Sequence, residues 1–277
     1  MAAGPTYAIT VSGPNPNSSS YVAAADLYGN PYTGVAELLI VRSDLGYGVV
    51  EGCSGTLLGD GVSILTSAHC IADVNGVERA TAAYVTFTTA DGAYTAQAVS
   101  FKVDPAFNGS SNSPNDVAVL TLATPAPDYL ERYGLYTGNV SDQSITLAGY
   151  GFGGTGVTGY DPRQYPFGTP RVVENQRQPN SATDDLMFDF SDPPTVSDEG
   201  GPTFIDGEIA GVHSYVIDPT GTLLNSSFGE VGADASVASN IAFIESAMLP
   251  APEPKLMIVL GLTLVAIALS GGKRKHR

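Results

Sequence analysis

The chain has 277 residues, of which 43% are hydrophobic and 14% charged. That is apolar enough to bury a large core, which excludes an intrinsically disordered polymer. The net charge of −16 has no compensating basic stretch except the last five residues, so the field of the protein opposes a phosphate backbone and nucleic acid is excluded as a partner.

Thirty-two Gly and 19 Pro, together with many Val, Thr and Tyr, predict short strands joined by turns. No extended helical periodicity occurs before residue 233, so the class is all-β with helix only near the end. Residues 1–33, rich in Asn, Ser, Gly and Pro, read as an exposed N-terminal arm. Residues 1–7 carry neither the basic region nor the apolar stretch of an export leader, so a signal peptide is expected to be missing from this sequence.

Next come Cys53 and Cys70, the chain's two cysteines, bracketing a strand, a turn at Gly59-Asp60-Gly61 and a second strand. This arrangement can bring their side chains within bonding distance, and a disulfide implies an oxidising compartment. The alternative is a metal site using Cys53, His69 and Cys70, but it lacks the C-x-x-C spacing and an evident fourth ligand. No metal and no cofactor is expected.

At the far end, Pro250-Ala251-Pro252-Glu253-Pro254 stops a helix, residues 256–270 form a mostly apolar run, and Lys273-Arg274-Lys275-His276-Arg277 closes the chain. The run is short for a bilayer span, so spanning and interfacial placements both stay open. The basic cluster favours a cytoplasmic end. Residues 250–277 resemble the PEP-CTERM sorting signal of bacterial exported proteins. That resemblance implies an exosortase-type processing enzyme as a partner and routing to the cell surface, with membrane attachment through residues 256–270 before processing; an ordinary tail anchor is the alternative.

The body carries a set of motifs in a fixed order. Cys53-Ser54-Gly55 precedes Thr66-Ser67-Ala68-His69-Cys70, then come Asn115-Asp116-Val117-Ala118-Val119-Leu120, Ala148-Gly149-Tyr150-Gly151, Ser197-Asp198-Glu199-Gly200-Gly201-Pro202 and Ile209-Ala210-Gly211-Val212-His213-Ser214. A helical pattern over residues 237–248 closes the set. Residues 34–249 thereby resemble the trypsin/chymotrypsin family of serine peptidases. The resemblance implies two six-stranded antiparallel β-barrels, roughly residues 34–125 and 126–249, with a C-terminal helix, the site between the barrels and the Cys53–Cys70 disulfide. It also implies a peptide or protein as the ligand.

By that resemblance His69 is the general base and Asp116 orients its ring. Read from the residues alone, His69 is alternatively a buried structural histidine and Asp116 a turn residue after Pro114-Asn115. The serine nucleophile is replaced by Glu199, which has no proton for His69 to remove. Its carboxylate is expected to pair with protonated His69 or to fill the oxyanion pocket, giving an inactive pseudoprotease. The alternative is an active endopeptidase using Ser197, although Ser197 stands at a glycine position of the oxyanion hole. Ser54 is read as structural. Asp198 keeps its motif position, but no basic cleavage site precedes Gly34 to supply a new amino terminus. Pro193 stands where trypsin-type enzymes carry their specificity aspartate, so Lys or Arg preference is not supported. His213 is read either as a substrate-binding residue for an acidic side chain or as a structural histidine.

Overall fold

The computed structural model describes residues 8–11, 15, 22, 31–89, 91–141, 143–155, 157, 159–160, 167–175, 185–189, 199–217 and 231–248. Their elements run β1 (Ala8–Val11), β2 (Val35–Arg42), β3 (Glu51–Leu57), β4 (Ser63–Thr66), β5 (Ala80–Thr89), β6 (Gly92–Val103), β7 (Ala118–Leu122) and β8 (Ile145–Gly149). They continue with β9 (Phe152–Thr155), β10 (Gly159–Tyr160), β11 (Arg171–Asn175), β12 (Asp185–Asp189), β13 (Pro202–Ile205), β14 (Glu208–Ile217), β15 (Val231–Ser236) and the helix α1 (Val237–Ala247).

Strands β2 to β7 close into an antiparallel barrel in the order β2-β3-β4-β7-β6-β5. Successive side chains of a strand point to opposite faces, and the barrel uses both. Leu38, Ile40, Leu57, Ile64 and Leu120 fill its interior together with Phe87. Their neighbours Leu58, Leu65, Val117 and Val119 turn outward into a second core shared with Ala148, Tyr150, Phe204, Ile209, Val212 and Ile244. All of β4 is buried for this reason, with Ile64 in the barrel interior and Leu65 in the second core.

The second unit is a six-stranded antiparallel sheet in the order β11-β8-β13-β14-β15-β12, with α1 following β15 directly. Ile205 and Glu208 pair across a two-residue turn in which Asp206 and Gly207 both have positive φ, 51° and 82°. Asp-Gly is the pair that such a turn favours. The Ser236 hydroxyl caps α1 by accepting from the Ser239 amide.

One strand departs from the expected arm. β1 pairs in parallel with β9, Ala8 opposite Phe152, and β10 completes a small sheet. Ile9, Thr10 and Val11 suit a strand, but four residues amid Asn, Ser, Gly and Pro leave too short a pattern to read. No helix among the described residues is long and apolar enough to cross a membrane, and the apolar run at 256–270 lies outside them.

Cys53 on β3 is bonded to Cys70, with their Cα atoms 6.4 Å apart and a sequence separation of 17. Both thiols are therefore consumed, which removes the metal alternative for Cys53, His69 and Cys70. Replacing both cysteines with alanine is expected to lower the unfolding free energy by about 3 kcal/mol, the loop-closure value for a ring of this size. Urea midpoints of the two proteins check this, and unchanged midpoints would mean that β3–β4 pairing already fixes the ring.

Candidate active site

His69 sits in the single helical turn Ala68–Cys70 at the end of β4. Two bonds hold that turn: the disulfide to β3, and the Arg42 guanidinium, whose Nη1 donates to the His69 carbonyl at 2.8 Å. Asp116 lies just before β7 and is fully buried. Its Oδ1 accepts from the His69 amide at 2.8 Å, and its Oδ2 lies 2.6 Å from His69 Nδ1. The Ser214 hydroxyl also donates to Oδ2. Three hydrogen bonds to one carboxylate fix the ring's orientation and place a proton on Nδ1.

The loop carrying Asp116 is anchored to α1. Asn115 Nδ2 donates to Asn240 Oδ1 at 3.0 Å, and Asn240 Nδ2 donates to the Pro114 carbonyl at 2.8 Å. The sequence "Asn115-Asp116" thus works as a unit, one residue holding the loop and the next holding the histidine.

Glu199 reaches the ring from the second unit. Its Oε2 lies 3.4 Å from His69 Nε2, so the imidazole is flanked by carboxylates on both nitrogens. Side-chain exposure is 18% for His69 and 12% for Glu199. Burial alone would push the His69 pKa down, but the charges of Asp116 and Glu199 and the hydrogen bonds to them outweigh it and hold the pKa well above its ordinary value of 6.5. Glu51 on β3 feels the same crowding: burial, then the charge of Glu199, raises its carboxyl above the usual range.

The backbone around Glu199 is tied down independently of its side chain. The Glu199 carbonyl accepts from the Ser54 amide at 2.8 Å, the Gly200 amide donates to the His213 carbonyl at 2.9 Å, and the His213 amide donates to the Gly201 carbonyl at 2.8 Å. Gly200 has φ +79°, and a Cβ there would sit 2.1 Å from Thr66 Oγ1 and 2.4 Å from the Ser54 carbonyl oxygen. Only glycine fits both demands. Ser54 is structural: its hydroxyl accepts from the Tyr150 amide at 2.9 Å, and its carbonyl accepts from Thr66 Oγ1 at 2.7 Å.

His213 shares this backbone, but its side chain is buried. Its ring is 1% exposed, with Nδ1 3.1 Å from Asp234 Oδ1, and Thr203 donates to the other oxygen of Asp234. Burial pushes the His213 pKa down to about 3, so this imidazole is neutral at ordinary pH. Ser197, Asp198 and Pro193 lie outside the described residues. Ser214, Glu51 and Asp234 are functional neighbours that sequence reasoning did not single out. The first is the last residue of a quoted motif, whereas the other two carry no local signal. Among the described residues no group of three His, Cys, Asp or Glu side chains is placed to hold a metal ion.

The arrangement can store a proton on His69 and cannot, through Glu199, supply a hydroxyl nucleophile. A histidine whose pKa is raised on folding stabilises the fold fully below its unfolded value near 6.5 and loses that contribution as pH climbs through the raised value. The urea midpoint is therefore expected to fall as pH rises above about 6.5, with a smaller fall in Glu199→Gln. In NMR titration His69 is expected to lose its proton above 6.5 and at lower pH in Glu199→Gln, whereas His213 stays neutral down to about 3; a His69 neutral at pH 6 would refute the pairing. Asp234→Asn is expected to cost about 1.5–3 kcal/mol of stability, the value of a hydrogen bond to a buried charge, measured by the same unfolding series.

Residues 38–228 match the family model described as Trypsin. No curated protein matches the chain. Among solved structures, HL collagenase is similar at 22% identity and a TM-score of 0.59, covering 78% of this chain and 93% of its own. A Glu endopeptidase in complex with MPD is similar at 18% identity and a TM-score of 0.57, covering 88% of this chain and 99% of its own. At these identities the structural likeness shows the fold, and the family model spans more than half of the sequence. The fold, the motif order and that match make the chain a member of the trypsin family.

Proposed function

We propose that this protein is an inactive serine-peptidase homologue that binds a peptide or protein in the former cleavage cleft. The observation that carries the reading is the 3.4 Å contact between Glu199 Oε2 and His69 Nε2. Loss of a triad nucleophile costs about 10⁶-fold in turnover, and here the replacement also occupies the base. His69 and Asp116 keep the base and orienting positions, and Glu199 helps to hold the His69 ring in its charged form. His213, with Asp234 behind it, acts as a buried pin of β14 and β15; reading an acidic side chain would require it to gain a proton at a cost set by its burial.

The competing reading is an active endopeptidase using Ser197. The peptidase-fold domain is assigned to residues 34–249, following a leading segment of residues 1–33. Residues 250–277 are assigned as a PEP-CTERM-like sorting tail, met by an exosortase-type enzyme and attached to the membrane through 256–270 until processed. A disulfide in a trypsin-like fold supports export and an extracellular site of action.

The test sets the protein beside Glu199→Ser, both assayed for fluorophosphonate labelling and for cleavage of a mixed peptide library. The variant alone is expected to label and cleave, while the unmodified protein retains peptides without turnover. Labelling of the unmodified protein would establish another serine, with Ser197 first to examine, as nucleophile and end the inactive reading.

A further inference from the structure

A cavity of about 390 Å³ opens where the chain entering the first barrel, the connection between the two units, β8 and the β13–β14 turn meet. It lies at the opposite end of β13 from Glu199, separated by about 13 Å of strand at the usual rise per residue. Its lining includes three aromatic rings: Tyr133 and Phe204 are tilted against each other with ring centroids 4.7 Å apart, and Tyr32 is tilted against Phe204 at 5.7 Å. The Tyr133 hydroxyl donates to the Pro31 carbonyl at 2.7 Å and accepts from the Gly34 amide at 3.3 Å, so the ring is pinned at its hydroxyl end. Glu131 and Asp206 stand at the rim, and Thr146 adds a hydroxyl.

Charge gives this pocket its preference. Glu131 and Asp206 are both exposed, and neither has an ion-pair partner among the described residues. Arg132 is the nearest cation in the lining, but its guanidinium is turned away, donating to Asp128 at 2.7 Å and to the Ala126 carbonyl at 3.2 Å. The Asp206-Gly207 turn fixes where the Asp206 carboxylate begins, because both residues sit at positive φ. Two unneutralised carboxylates beside the half-buried Tyr32 ring, over a floor of buried Tyr133 and Phe204, attract an alkylammonium ion chiefly through charge, with the Tyr32 quadrupole adding to it. The volume is at the small end for a ligand site and takes one extended side chain.

We propose that this cavity is a second binding site, for the ammonium group of a lysine side chain on a peptide partner, formed by Tyr32, Tyr133, Phe204, Glu131 and Asp206. The site is separate from the His69 cluster and does not depend on whether the cleft is active. A molecule carrying −16 overall draws cations towards it at long range, and this pocket gives them a place to stop.

The experiment titrates the full-length chain with Nα-acetyl-lysine methylamide and, separately, with the uncharged isostere Nα-acetyl-norleucine methylamide, following backbone amide NMR shifts. The lysine probe is expected to produce saturable shifts centred on Thr146, Asp206 and Gly207 with a Kd on the order of millimolar, about tenfold tighter than norleucine. Raising the salt to about 0.5 M is expected to weaken it further, since the carboxylates are exposed. The double variant Glu131→Gln, Asp206→Asn should lose the preference for lysine; asparagine tolerates the positive φ at position 206, so the turn is kept. Equal response to both probes, shifts centred on other residues, or unchanged lysine binding by the double variant would each overturn the proposal.

Discussion

Everything at the cleft hangs on a backbone seam between the two β units. The Ser54 amide on the first barrel bonds the Glu199 carbonyl, and the Ser67 hydroxyl bonds the His213 carbonyl at 2.6 Å. His213 in turn exchanges amide and carbonyl bonds with Gly201 and Gly200. None of these bonds involves the side chain at 199. The seam therefore delivers whatever stands at that position to the same place beside His69, where this chain has a glutamate.

That accommodation has an electrostatic condition. A second carboxylate added beside the Asp116–His69 pair would be costly if the imidazole were neutral, because two anions would then face each other across an uncharged ring. A proton on His69 turns repulsion into attraction on both sides. For Glu51, also brought close, burial and the Glu199 charge outweigh the opposing charges of Arg42 and His69, and its pKa is raised. The site is thus an acidic pocket whose carboxylates converge on the His69 ring.

What could be read in the sequence was what lies in short, local patterns. The Ala68-His69-Cys70 turn after an apolar strand, the Asn115-Asp116 pair before β7 and the Gly200-Gly201 turn each announce their place within a few residues. The disulfide was legible because a strand, a turn and a strand bring Cys53 and Cys70 together. Contacts made through register were not. Asp234 meets His213 because β14 pairs with β15, and a register shift between His213 and Tyr215 changes which side chains face inward. This bulge lets Val212, His213 and Ser214 all be buried, so alternation could not decide whether His213 faced a pocket or the core. β1 was missed for a different reason, since its partner β9 lies about 140 residues away and parallel pairing leaves no hairpin signal.

The anchoring of α1 carries a mechanical meaning. The C-terminal end of the helix is held to the first barrel by Lys102, whose Nζ donates to the Ala247 carbonyl at 3.0 Å, and its N-terminal half is held to the Asp116 loop through Asn240. The helix therefore straddles both units, with the residues after Met248 leaving from its tethered end. Any shift of α1 therefore disturbs β6 at one end and the Asp116 loop at the other. The helix is thus a brace for the carboxylate that orients His69, although it stands outside the barrel that carries that carboxylate.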